Sequence, residues 1–101
     1  MSILVHEEKP IAVVTVGGEW TANTASINGI LEQLVVKSAT DSTMFDFTLT
    51  NDQDDVVLKR TDVTRLINEE VNIPFHGVYT MAIVNATKDE AFTILLSVRE
   101  R

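Results

Sequence analysis

Apolar and polar residues alternate with a period of two along most of this chain. The stretch "TMFDFTLTND", residues 43–52, shows it best. Phe45, Phe47 and Leu49 fall on one side of an extended backbone, and Met44, Asp46, Thr48 and Thr50 on the other. Successive side chains of a strand point to opposite faces, so this stretch predicts a strand with one covered and one wet face. "NDQDD", 51–55, is a polar turn and "VVLKR", 56–60, a return strand, which predicts a hairpin over 43–60. "ILVHE", 3–7, reads as a short strand or an arm, and "IAVVTV", 11–16, as a strand rich in β-branched residues. Gly17–Gly18 marks a turn, and "TANTASING", 21–29, reads as a loop ending in the turn pair Asn28–Gly29. "ILEQLVVKSA", 30–39, fits a strand, although Ile30, Leu31, Leu34 and Val35 also fit a helical spacing. "TDVTRLINEE", 61–70, is the one place where a short helix is expected, with Thr61 or Asp62 as cap and Arg65 near Glu69. "GVYTMAIVNA", 77–86, and "AFTILLSVRE", 91–100, predict a second hairpin.

Strands separated by short polar turns, with no alternation of strand and helix, predict an antiparallel arrangement and not a parallel sheet. The expected fold is all-β: an antiparallel β-sandwich or jelly-roll-like barrel of about six to eight strands with at most one short helix. Phe45, Phe47 and Leu49 are expected to pack on Phe92, Ile94, Leu96 and Val98 across two sheets about 10 Å apart. Residues 1–101 are expected to form a single β-sandwich domain, with residues 1–9 serving either as a first strand or as an N-terminal arm.

The chain carries a net charge of −7 and no cysteine. The charge argues against nucleic acid, which needs a positive footprint, and against anionic membranes. Without cysteine, neither a disulfide nor a thiolate metal site is available, so stability must come from packing or from contacts with other subunits. No apolar run approaches the roughly 20 residues that span a bilayer as a helix. The start, "MSILVHEEKP", lacks the basic-then-apolar pattern of a secretory signal, so folding in a cytosol is expected.

Candidate chemistry is thin. His6 and His76 are far apart, and neither has a carboxylate partner evident in sequence. Asn51, Asp52, Asp54 and Asp55 resemble a calcium loop in composition but lack its glycine and its distal glutamate. Glu7–Glu8 and Glu69–Glu70 are adjacent pairs, which face opposite ways on a strand. There is no nucleophile elbow, P-loop or dinucleotide fingerprint. Trp20 and Tyr79 could stack on a sugar, but a buried anchor is the commoner role of such residues. The chain is therefore read as a non-enzyme with no catalytic residue, no metal and no cofactor. Ala12, Val14 and Val16 fall on one side of their strand and Ile11, Val13 and Thr15 on the other. A strand apolar on both sides predicts that one side meets another subunit.

One stretch carries a resemblance. Gly29, Leu34 and Val36, then Ala39, Thr40, Thr43, Phe45, Asp46, Phe47, Leu49 and Thr50, follow the pattern G-x-x-x-x-L-x-V leading to A-T-x-x-T-x-F-D-F-x-L-T. This resembles small β-sandwich virion proteins of tailed bacteriophages, and the closing stretch 77–101 resembles their last hairpin. The resemblance covers about half the chain. It implies a capsid cement or decoration protein that binds across joints of the major capsid protein, on the capsid surface of the virion. A tail or neck component is the alternative role it allows, and a carbohydrate-binding or adhesion module the alternative outside it. It further implies contact with other virion subunits and a homo-oligomer, a trimer at a local three-fold. Ser2, Ile3, Leu4 and Val5, as a terminal β-prone arm, and Trp20 are the expected partner-binding residues.

Overall fold

The computed structural model describes residues 5–7, 11–24 and 26–100. These form nine strands: β1 (Val5–Glu7), β2 (Ile11–Val14), β3 (Trp20–Asn23), β4 (Ile27–Ser38), β5 (Met44–Thr50), β6 (Val56–Thr64), β7 (Leu66–Gly77), β8 (Thr80–Val84) and β9 (Ala91–Glu100). One sheet has the order β1-β9-β4-β7, with β2 also paired to β9; the other has the order β3-β8-β5-β6. Every pairing between these strands is antiparallel. The result is the expected β-sandwich.

The two inner faces meet as their side chains dictate. Phe45, Phe47 and Leu49 from β5 are buried, and so are Phe92, Ile94, Leu96 and Val98 from β9. The Phe45 and Phe92 rings meet edge to face across the two sheets, with centroids 5.1 Å apart and planes at 80°. Leu31, Leu34, Val36, Ile83 and Phe75 complete the fully buried centre. Each such side chain contributes on the order of 1.5–3 kcal/mol by leaving water.

Three expectations are corrected. The stretch 61–70 is strand, not helix: β6 runs to Thr64, and β7 begins at Leu66. Arg65 alone separates them, at φ 70°, and carries the chain from one sheet to the other. Packing overrides any helical propensity here, because Ile67 must be buried against Val36 on β4. The stretch 21–29 is largely strand, belonging to β3 and the start of β4. The stretch 77–98 is not a hairpin, because β8 and β9 lie in different sheets. Phe92 and Ile83 each belong to a covered face, and those two faces oppose each other instead of sharing a ladder.

Candidate interaction surface

Four crossings between the sheets, from β2 to β3, β4 to β5, β6 to β7 and β8 to β9, gather at one end of the sandwich. Between β2 and β3 the chain turns at Gly17 and Gly18, both with positive φ. Their amides donate to the Asp89 carboxylate at 3.0 and 2.7 Å. Gly18 has a steric reason to be glycine: a Cβ there would lie 3.0 Å from the Ala86 carbonyl oxygen. Between β8 and β9, residues 85–90 tie this turn to the next one. The Glu90 carboxylate accepts from the Thr40 hydroxyl at 2.5 Å and from the Thr43 hydroxyl. Buried Thr15 accepts from the Glu90 amide at 3.1 Å. The two hydroxyl donors hold the Glu90 carboxyl below the usual carboxylate range.

A second carboxylate, Asp46 on β5, spans the outer side of the other sheet. It accepts from the Asn85 side-chain amide and from the Asp62 backbone amide, each at 2.8 Å. Asp62 and Asn85 both adopt the left-handed conformation, which Asp and Asn tolerate better than other side chains. Asp46 thus anchors both departures from regular strand. The Asn85 amide, then the Asp62 amide, and then nearby Lys59 lower its pKa.

These polar ties leave one region of the sheet built by β1, β2, β9, β4 and β7 uncharged. β2 and the residues after it, 11–16, carry no charge, and neither does 91–98 on β9. On the outer face Ala12 stands opposite Thr93 and Val14 opposite Ala91, with Leu95 opposite Val35 beside them. Val14 is 60% exposed and Val16 78%, while Val13 and Thr15 on the inner side are buried. Lys37, opposite Thr93, and exposed Glu19, paired with Val16, are charged side chains at its border.

The expected binding residues fall differently. Ser2, Ile3 and Leu4 lie outside the described residues, and Val5 opens β1, opposite Arg99 of β9. Trp20 is half-buried on β3, opposite Ile83, and packs against the core. Tyr79 is buried and stacked on Phe75, with centroids 4.0 Å apart. Its hydroxyl donates to the Pro74 carbonyl and accepts from the His76 amide. Tyr79 is therefore part of the core and not an exposed platform for a sugar ring. His76 is exposed, and His6 sits on β1 opposite Val98. Asn51 to Asp55 form a closed turn: the Asn51 side-chain oxygen accepts from the Gln53 and Asp55 amides, each at 2.9 Å. Among the described residues, no group of three or more His, Asp or Glu side chains is placed to hold a metal ion. The roles of Asp46 and Glu90 were not foreseen. The trace they leave in sequence is an acidic residue inside or at the end of an otherwise apolar-polar strand pattern.

No protein-family model matches the chain, and neither does any curated protein sequence. Among solved structures, the chain is similar to one described as "Structure of infectious bursal disease virus Gt strain", at 12% identity and a TM-score of 0.43. That similarity covers 97% of this chain and 32% of the other, so this chain spans about a third of that protein's length.

Proposed function

We propose that this chain is a non-enzymatic structural protein of a virus particle, and specifically a cement protein on the outside of a tailed-bacteriophage capsid. The observation that carries this reading is the uncharged, apolar surface around Ala12, Val14 and Val16, on a chain of net charge −7. Protein contact surfaces are depleted of charge at their centres, and exposed apolar patches mark sites of association. The resemblance of residues 29–60 to small phage virion proteins points the same way. A domain that binds only the assembled shell stabilises that shell by mass action, and repetition over many sites strengthens the effect.

In this reading the chain lies across joints of the major capsid protein as a homo-oligomer. Ser2, Ile3 and Leu4, leading into Val5 of β1, extend to a neighbouring subunit as an added strand, and Trp20 borders a contact. Sedimentation of the purified chain with capsids from its own source tests this. The expected result is co-sedimentation with assembled shells and little binding to unassembled coat subunits, with shells that survive a higher temperature when decorated. Equal binding to unassembled subunits, or no binding to shells, overturns it. Deleting residues 2–4 is expected to weaken shell binding at least about tenfold, roughly 1.4 kcal/mol, with an unchanged melting temperature.

A further inference from the structure

One crossing between the sheets is a single strained residue. β6 ends at Thr64, β7 begins at Leu66, and Arg65 between them stands at φ 70°. Among the described residues, Asp54, Asp62, Arg65 and Asn85 are the non-glycine residues with positive φ. Asp and Asn tolerate this conformation because their short polar side chains bond locally, so Arg65 is the one of the four with no such relief. The crossing at Gly17–Gly18 uses glycine, and those at 39–43 and 85–90 are longer. Arg65 is also the end rung of both ladders it joins. Its amide donates to the Thr43 carbonyl at 2.9 Å, next to the β5–β6 pair Met44 and Thr64. Its carbonyl accepts from the Ser38 amide at 2.8 Å, next to the β4–β7 pair Lys37 and Leu66. β6 and β7 are edge strands of their sheets. An extended Arg65 therefore joins them into one strand over 56–77, with β5 as neighbour of its first half and a β4 as neighbour of its second.

We propose that two copies of this chain exchange β7, β8 and β9 about Arg65 and form an intertwined two-fold dimer. Arg65 is extended in it. β6 stays on β5 of its own copy, and β7 lies on β4 of the second. Each sandwich is then completed as in the single chain, with β8 between β3 and β5 and β9 beside β4. The edge-to-face contact of Phe45 with Phe92 and the ion pair of Arg60 with Glu69 are made between copies. Every contact of the monomer except the bend is thus kept, and the balance rests on the bend and on concentration. Closure within one chain is favoured by its tether, which gives an effective concentration on the order of mM for a short flexible link. A strained link lowers that advantage, which is why short strained hinges promote exchange. The symmetry is two-fold, in contrast to the three-fold that the phage resemblance implies. The inference needs only a second copy of the chain and does not depend on the virion reading.

Refolding from urea at about 1 mM chain, followed by size-exclusion chromatography, tests this. The natural chain is expected to give monomer and a dimer fraction that persists on dilution, because return to monomer requires unfolding. Arg65→Val favours extended backbone and is expected to raise the ratio of dimer to monomer at least about tenfold. Arg65→Gly bends without strain and is expected to lower it at least about tenfold. A cross-link separates exchange from side-by-side association. The chain has no cysteine, and Val35 on β4 stands opposite Asn68 on β7. The double variant Val35→Cys, Asn68→Cys is oxidised after refolding and read on chains whose thiols are consumed. Its dimer fraction is expected to run as a covalent dimer on a denaturing gel without reductant, and its monomer fraction as a monomer. The natural chain against Arg65→Gly carries the test if Arg65→Val does not refold. A natural chain that refolds as monomer alone, a dimer undiminished in Arg65→Gly, or a cross-linked dimer whose chains separate on the gel overturns the proposal.

Discussion

Phe47 and Ile94 sit at the centre of the core, at 0% and 1% exposure. Phe47→Ala leaves a cavity that a stiff sheet cannot close, and the expected loss is about 3–5 kcal/mol by urea titration. Arg65 is a different kind of residue. Its φ of 70° holds the sheet-to-sheet bend, and its ion pair with Asp41 lies on the surface. Arg65→Val forces a β-branched side chain into the left-handed region and is expected to destabilise by about 1–3 kcal/mol, whereas Arg65→Gly stays within about 1 kcal/mol of the natural chain. Asp46 and Glu90 both titrate below their ordinary range in the fold. The unfolded chain therefore binds protons more readily than the fold does. The stability these carboxylates supply is fully present above the ordinary carboxylate range and is lost as pH falls through the lowered folded values. Melting temperatures are expected to fall on acidification from about pH 5 to about pH 3, and to fall less in the double variant Asp46→Asn, Glu90→Gln. Equal acid sensitivity in that variant would show that other groups control the effect.

The hairpin of β5 and β6 was legible because β5 alternates without interruption. β4 was ambiguous for a definite reason. Both of its ladders shift register between Leu31 and Gln33: against β7 the extra residue lies on β7, between Glu70 and Ile73, whereas against β9 Glu32 is the extra residue. The bulge puts Leu31 and Leu34 on the same inner face, and a spacing of three inside a strand imitates a helix. β6 hid itself in the same way, with a shift between Phe45 and Phe47 in its pairing to β5, opposite Asp62. Beyond the β5–β6 hairpin, which strands share a sheet was not legible, since a turn such as 85–90 has similar composition whether it closes a hairpin or crosses between layers. The crossings themselves can be tested at the Gly17–Gly18 turn. Gly18→Ala pushes a methyl group against the Ala86 carbonyl, while Gly17→Ala enters open space. Both strain a positive φ, so both are expected to destabilise. Thermal melts should rank Gly18→Ala the worse by about 1 kcal/mol or more.

At the scale of the molecule, polar ties gather where the chain changes layer, and a charge-free area remains along β2 and β9. Asp89, Glu90 and Asp46 spend their carboxylates on the crossings, and Arg60 pairs with Glu69 at 2.8 Å where β6 and β7 flank the bend. The candidate surface was partly legible: a strand apolar on both sides announces a partner, and Val13 inside with Val14 outside realises that pattern. Trp20 and Tyr79 were poorer guides, because a large aromatic residue signals burial as readily as binding. Both the interior and the exposed patch depend on one arrangement, in which β5 and β9 face each other from separate sheets. Nuclear Overhauser contacts between aromatic rings measure it most directly. Strong cross-peaks between Phe45 and Phe92 ring protons, with slow amide exchange at Phe47 and Ile94, are the predicted result. Absence of the cross-peaks together with fast exchange at both amides would contradict it.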